Sequence, residues 1–120
     1  MAKPRTLIFV VVLLFIIASV KAYEGFVGGK TEVKNVKSNK EVQDLGRFSV
    51  EEFNRQGING FGDLVFSEVI EAQKQVVSGF KYYLKIEATT RKGDTKVFDS
   101  VVVIKPWLHS KELLNFAPSK

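Results

Sequence analysis

Few side chains in this chain of 120 residues could do covalent chemistry. His109 is the only histidine, Ser110 follows it directly, and there is no cysteine. A nucleophile and its base must meet in three dimensions, which adjacency along the chain does not provide. Glu51 and Glu52 are successive residues of a predicted helix, so their carboxylates diverge by about 100° and cannot act as a pair. We therefore expect neither an enzyme nor a metal or cofactor site.

A short apolar segment, Gln75–Gly79, indicates binding instead. It reads Gln75, Val76, Val77, Ser78, Gly79 and lies between two strand patterns. Taken alone, Ser78 and Gly79 could simply form a hairpin turn, with the valines ending a strand. However, neighbouring strand residues face opposite sides, so at least one valine should face solvent and suit insertion into a groove. Gly79 would supply backbone freedom, and Gln75 could hydrogen-bond to hold the loop.

A second candidate segment is Pro106-Trp107, which follows a predicted strand. Proline cannot continue a central strand, so the chain should turn there. Trp107 is the only tryptophan. A lone tryptophan in a small domain is often part of the core. At a strand end, however, it would also suit an interface, since it buries a large rigid surface at small entropic cost.

The third candidate segment is Gly28-Gly29, which follows the apolar pair Phe26 and Val27. The glycines could simply belong to a flexible leader. The two apolar residues have little chance of finding a core partner so near a terminus. We therefore expect residues Tyr23–Gly29 to form a mobile arm.

One helix should position these segments. Ser38-x-x-Glu41 is typical of a capping box, and Gly57 is suited to ending the helix. Gly46 and Ser49 are small and would let the helix approach a sheet closely. The predicted buried face consists of Val42, Leu45, Gly46, Ser49 and Phe53, flanked by Phe48 and Val50.

Alternating patterns predict strands around this helix. A bulge near Ser67-Glu68 would restore the alternation of the second strand, and Lys92–Asp94 should turn the chain. The predicted strands with definite bounds are Thr31–Val36, Leu64–Val77, Phe80–Ala88 and Leu113–Phe116. A further strand before the last one is predicted to direct Phe98, Ser100, Val102 and Ile104 toward the core. The pattern favours an α+β fold, with a single helix packed on a four- to five-stranded antiparallel sheet. Gln75–Gly79 and Pro106-Trp107 should then lie at the same end of the sheet.

The first 22 residues are typical of a signal peptide. Lys3 and Arg5 precede the apolar run Leu7–Val20, and Val20-Lys21-Ala22 suits cleavage. As a helix, the run would span about 21 Å, short of a bilayer core of about 30 Å. We therefore expect a leader over residues 1–22 and one domain over 23–120, with no membrane attachment after cleavage. The protein should be secreted, either out of the cell or into the secretory pathway or vacuole. The remaining chain has 15 basic and 13 acidic residues, which gives nucleic-acid binding little support.

The three segments, together with Leu45–Asn54, resemble the cystatins and in particular the plant cystatins (phytocystatins). The helix of that family carries a Leu-Ala-Arg-Phe-Ala-Val-x-Glu-x-Asn type of signature. The matching residues here are Leu45, Arg47, Phe48, Val50, Glu52 and Asn54. The resemblance covers roughly residues 26–116. It implies a cystatin fold and an inhibitor of papain-like cysteine proteases rather than an enzyme.

The resemblance also implies roles for the three segments. Phe26 and Val27 would fill substrate subsites, and Gly28 would pass close to the catalytic cysteine. With the two hairpin tips, this arm would form a wedge for the protease cleft. Val101 and Val103 on the outer sheet face could mark association, so we expect mostly monomer with a possible strand-exchanged dimer. The alternative is a secreted cystatin-fold binding or storage protein without useful protease affinity. A role in plant defence or in control of endogenous proteolysis stays open.

Overall fold

The computed structural model describes residues 28–57 and 61–120, so the predicted leader and the pair Phe26 and Val27 lie outside the described residues. In chain order the elements are β1 (Thr31–Glu32), a 3₁₀ helix (Val36–Ser38), α1 (Lys40–Gln56), β2 (Val65–Val77), β3 (Gly79–Thr89), β4 (Thr95–Lys105), a 3₁₀ helix (Pro106–Leu108) and β5 (Ser110–Pro118).

The helix α1 begins one residue later than the sequence indicated. Asn39 is its N-cap, and the Asn39 side chain accepts a hydrogen bond from the Val42 amide at 3.1 Å. The predicted cap, Ser38, instead ends the preceding 3₁₀ turn and donates its hydroxyl to the Asn35 carbonyl. Gly57 ends the helix with φ 71°, as predicted. No helix in the described ranges is long and apolar enough to cross a membrane.

The five strands form one antiparallel sheet in the order β1-β2-β3-β4-β5, which confirms the predicted fold class. The strand β1 is shorter than predicted, because Val36 turns into the core within the 3₁₀ helix. The predicted bulge occurs between Phe66 and Glu68, and a second irregularity follows between Val69 and Glu71. The last strand is longer than predicted and has a register shift opposite Val101 and Val102.

The helix packs closely on one face of the sheet through its small residues, as predicted. A Cβ at Gly46 would overlap Val69 Cγ2 and lie 2.8 Å from Phe66 Cε1. The buried hydroxyls of Ser49 and Ser100 lie 2.7 Å apart, and Ser49 also donates to the Leu45 carbonyl. The remaining core is apolar and comprises Val36, Val42, Leu45, Val50, Leu64, Val69, Ala72, Tyr82, Leu84, Ile86, Ala88, Phe98 and Val102.

Candidate functional site

The connection between β2 and β3 is a tight tip with exposed apolar side chains. Val76 is 42% exposed and Val77 39%, so both valines meet solvent, where at least one was predicted to do so. The two strands pair up to Val77 and Gly79, which leaves Ser78 alone at the turn. Gly79 has φ 97°, and a Cβ there would overlap the Ile104 carbonyl oxygen. Any side chain at Gly79 would therefore disturb the fold as well as the tip.

The connection between β4 and β5 forms a second exposed tip. Pro106–Leu108 is a single 3₁₀ turn, and His109 leaves it with φ 49°. Trp107 is 58% exposed, so it does not belong to the core. Leu108 beside it is 60% exposed and was missed by the sequence reading. The exposure of Leu108 could have been predicted from the sequence. An apolar residue that directly follows Pro106-Trp107 lies in the turn and not in a strand, so it has no buried sheet face to occupy.

The two tips are neighbours at the same end of the sheet, as predicted. Phe80 of β3 pairs with Ile104 of β4, so the chain reversals at Ser78 and at Trp107 lie side by side. The indole Cη2 of Trp107 lies 3.4 Å from the position that a Cβ at Gly79 would take. Together the tips present one apolar surface, which we call the apolar edge and define as Val76, Val77, Trp107 and Leu108.

The base of the N-terminal arm reaches this same end of the sheet. Thr31 of β1 pairs with Lys74 of β2, and the antiparallel direction brings Gly28 toward the β2–β3 tip. The Gln75 amide nitrogen donates a hydrogen bond to the Gly28 carbonyl. Its amide oxygen accepts one from the Tyr83 hydroxyl at 2.8 Å. Gln75 therefore joins the two strands of the hairpin, in line with the predicted loop bracing, and also ties the arm to the sheet.

The fold of the free protein does not require a glycine at position 29. A Cβ at Gly29 would meet no atom within 4 Å, and its φ is not in the left-handed region. The free protein thus leaves open space around Gly29, in contrast to Gly79.

The helix signature supports the fold rather than contributing to the apolar edge. Leu45 and Val50 are buried, and Phe48 packs partly against the core. Arg47 lies over the Phe66 ring with its guanidinium carbon 5.0 Å from the centroid. Asn54 binds both the amide and the carbonyl of Leu64 at 2.9 Å, and Glu52 pairs with Arg55.

Gln43 has a similar structural role that the sequence analysis did not predict. Its amide nitrogen donates to the carbonyls of Val36 and Val69 at 2.9 and 3.0 Å, and its oxygen accepts from the Val69 amide at 3.0 Å. Val69 adjoins the second irregularity of β2, where the regular ladder is interrupted. One side chain therefore fixes the helix, the first 3₁₀ turn and this part of β2 together.

The described residues offer little acid–base chemistry. They contain no group of three or more histidine, aspartate or glutamate residues that could hold a metal ion. Burial, together with a hydrogen bond to the Glu41 carboxylate at 3.0 Å, raises the pKa of Tyr82 to about 12. This phenol lies between the sheet and α1 and not at the apolar edge, so its shift reflects packing.

Solved structures support the fold. The salivary cystatin of the soft tick Ornithodoros moubata superimposes with a TM-score of 0.64 over 77% of this chain and 97% of that chain, at 17% identity. Dimeric human cystatin F gives 0.59 over 76% of this chain and 86% of that chain, at 22% identity. At such low identities the likeness concerns the cystatin fold alone.

Sequence comparisons go further. The SQAPI family model, described as aspartic acid proteinase inhibitor, matches residues 33–119. Cysteine proteinase inhibitor 2 of Arabidopsis thaliana is 52% identical over 105 residues, which cover 76% of this chain and 71% of the relative. Cysteine proteinase inhibitor 4 of Oryza sativa subsp. japonica is 53% identical over 102 residues, which cover 78% of this chain and 65% of the relative. With this identity and the cystatin fold, the chain belongs to the plant cysteine proteinase inhibitors, the phytocystatins.

Proposed function

We propose that the protein is a reversible, competitive inhibitor of papain-like cysteine proteases, which blocks the active-site cleft with its N-terminal arm and two hairpin tips. The observation that carries this proposal is the apolar edge. Four apolar side chains are exposed at one end of the sheet, beside the base of the arm, in a member of a family named for cysteine proteinase inhibition.

The apolar edge has the composition of a binding surface. Trp107 offers a large rigid contact area, and aromatic anchors of this kind often dominate interface energetics. Apolar area removed from water contributes roughly 25 cal/mol per Å², and here that area is still available in the free protein. The interfaces of protease–inhibitor complexes bury about 1,600 Å² in total, so in this proposal both tips and the arm contribute to the contact.

The tips also have the rigidity that tight inhibition needs. Gly79 lets the β2–β3 tip lie against the Ile104 carbonyl, and only one residue separates the paired strands. Gln75 holds the Gly28 carbonyl and the Tyr83 hydroxyl simultaneously. A surface that is already ordered loses less entropy on binding, so more of the contact energy becomes affinity.

Inhibition by this surface would require no covalent step. The chain has no cysteine, and the groups at the apolar edge are aliphatic or aromatic. The edge would fill the cleft and exclude substrate while the catalytic thiol stays unmodified. In this proposal Phe26 and Val27 fill subsites beside the thiol, and Gly28 permits close approach of the backbone.

The test is a titration of papain with the chain from Tyr23 to Lys120. We expect competitive inhibition and full recovery of papain activity after dilution or displacement by substrate. Absence of inhibition at micromolar concentrations would refute the proposal and favour a binding or storage protein. Inhibition that dilution does not reverse would refute the mechanism.

A second candidate is inhibition of aspartic proteases, which the description of the matching family model favours. The same titration with pepsin distinguishes the two candidates. Inhibition of pepsin without inhibition of papain would replace the first candidate by the second. We expect the opposite result.

We further propose that residues 1–22 are removed during secretion. The basic start, the apolar run and Val20-Lys21-Ala22 support this. N-terminal sequencing of the protein secreted by plant cells should give Tyr23 as the first residue. Retention of Met1 on the secreted protein would exclude cleavage.

A further inference from the structure

The two ends of the sheet differ in charge. The end with the apolar edge comprises residues 28–32, 73–81 and 104–112, which contain five lysines and two glutamates. The opposite end comprises 61–68, 87–97 and 117–120, which contain four basic and four acidic residues. The net charge is therefore +3 at the first end and zero at the second. We call the five lysines Lys30, Lys74, Lys81, Lys105 and Lys111 the basic collar.

No collar lysine takes part in the ion pairs found among the described residues. The ion pairs within the described residues join Lys37 to Glu68, Arg55 to Glu52 and Lys85 to Asp99. None of them includes a collar lysine. With five lysines against two glutamates, this end has an excess of positive charge, so a partner that supplies the opposite charge gains by binding.

Aromatic rings hold four of the collar ammonium groups in place. Lys30 and Lys81 lie 3.8 and 5.4 Å from the centroid of the Tyr83 ring. Lys74 lies 4.4 Å from the centroid of Phe80, and Lys111 lies 5.8 Å from that of Phe48. A cation over a ring face is oriented but keeps its full charge. Four of the five collar charges are therefore oriented in the free protein.

The collar borders the apolar edge. Lys105 directly precedes Pro106, Lys111 pairs with Ile104, and Lys81 lies two residues beyond Gly79. Lys30 lies two residues beyond Gly28, at the base of the arm. A protein that accepted the apolar edge into a cleft would bring the rim of that cleft against these lysines.

From this placement we propose that the basic collar selects cysteine proteases whose active-site cleft has an acidic rim, and that it does so by accelerating association. The inference rests on the proposed function, because it assumes that the edge enters such a cleft. The apolar edge then determines how long the complex lasts, whereas the collar determines how fast it forms. Charges at the border of an interface act mainly on the association rate in this way.

The experiment compares two triple variants with the same change in net charge. The collar variant is Lys30→Glu, Lys105→Glu and Lys111→Glu. The control variant is Lys92→Glu, Lys96→Glu and Lys120→Glu, all exposed at the opposite end. Association and dissociation rates are measured by stopped flow and by surface plasmon resonance. The targets are two papain-like proteases of known structure, one with an acidic and one with a basic cleft rim.

The expected result is specific to the collar and to low salt. At about 0.01 M ionic strength, where charges interact over about 30 Å, the collar variant should associate about tenfold more slowly with the acidic-rimmed protease. At about 1 M, where the range is about 3 Å, the difference should fall to about twofold or less. The control variant should change the rate less than threefold, and the basic-rimmed protease should associate faster with the collar variant.

Each other outcome counts against the collar proposal. Equal losses for the two variants would assign the effect to net charge alone, and an unchanged rate for the collar variant would remove the collar from recognition. In both cases inhibition by the wild-type chain would leave the proposed function standing. If the wild-type chain inhibited neither protease, both proposals would fall together. Collar-dependent sedimentation with phosphatidylserine vesicles, without an effect on protease association, would assign the collar to a lipid surface instead.

Discussion

At one end of the sheet two chain reversals expose Val76, Val77, Trp107 and Leu108, whereas at the other end β3 and β4 join through the polar turn Thr90–Asp94. That polar turn is closed by its own backbone, since the Thr90 amide donates to Asp94 at 2.8 Å and the Gly93 amide donates to Thr90 at 2.9 Å. At both ends the chain reverses direction between two antiparallel strands. Because polar residues suffice for that purpose, the apolar residues of the first end call for another explanation, which binding supplies.

The largest effect on protease binding is expected at Trp107. We expect Trp107→Ala to weaken inhibition of papain by about 30-fold or more, because truncating an aromatic hot spot removes about 2 kcal/mol or more. The effect should be similar for papain-like proteases of different subsite preference. The melting temperature should change little, since the indole is mostly exposed. Inhibition constants and a thermal melt measure both quantities, and an unchanged inhibition constant would exclude the β4–β5 tip from the interface.

A pair of valines on the same strand separates the two ends directly. Val77→Asp should weaken inhibition by more than tenfold, because the complex would desolvate the new charge and lose an apolar contact. Val65→Asp is the matched control, since Val65 is 65% exposed at the other end of β2. We expect that variant to inhibit papain normally. If Val77→Asp unfolded the protein in urea titrations, the segment would be structural instead.

Two exposed leucines give a smaller and finer test. Leu108 lies at the β4–β5 tip, and Leu114, 48% exposed, lies on β5. Leu108→Ala should weaken inhibition several-fold, in line with about 1 kcal/mol for a partly buried contact. Leu114→Ala should leave the inhibition constant unchanged. Equal losses for both variants would extend the interface along β5 and weaken the contrast between the ends.

The smallest expected effect on inhibition concerns Tyr82, between the helix and the sheet. Its pKa is raised to about 12 by burial and by Glu41, against an ordinary value of 10.0. The folded state thus favours the neutral phenol. This contribution to stability is fully present below pH 10 and is lost as the pH rises toward 12. The stability of Tyr82→Phe, measured by urea unfolding from pH 8 to 12, should lack this alkaline decline, while inhibition at neutral pH stays unchanged. An identical decline in the variant would contradict the shift.

Much of this fold was predictable because periodic patterns survive in the sequence. The helix face through Leu45 and Ser49, the β3 alternation and the bulge near Ser67 all follow from matching side-chain period to burial. The predicted N-cap of the helix was wrong by one residue, because two adjacent residues are equally suited to that position. Ser38 and Asn39 are both good caps, but Ser38 is the last residue of the 3₁₀ turn, so Asn39 caps the helix.

The candidate site was only partly predictable, since contacts distant in sequence leave no local signal. The exposure of Val77 and Trp107 followed from their positions at strand ends. The bond from Gln75 to Gly28 spans 47 residues, and the link from Gln43 to Val69 spans 26. Such partners depend on the register of the sheet, which short patterns do not define. The roles of Phe26 and Val27 stay predictions, because both residues lie outside the described part of the chain.

The sequential order of the sheet has a consequence for how quickly the chain can fold. Each strand pairs with its neighbour in sequence, and β2 and β3 are separated by Ser78 alone. Hairpins with such short loops form in about 1–10 μs, because little loop entropy is lost. The contact between Ser49 and Ser100 instead spans 51 residues. We therefore expect the strands to pair before the helix packs on the sheet, and the packing of the helix to limit the refolding rate. Stopped-flow refolding would contradict this order if a β2–β3 substitution slowed folding less than Ser100→Ala at equal destabilisation, because contacts formed before the barrier should affect the folding rate at least as strongly as contacts formed in it.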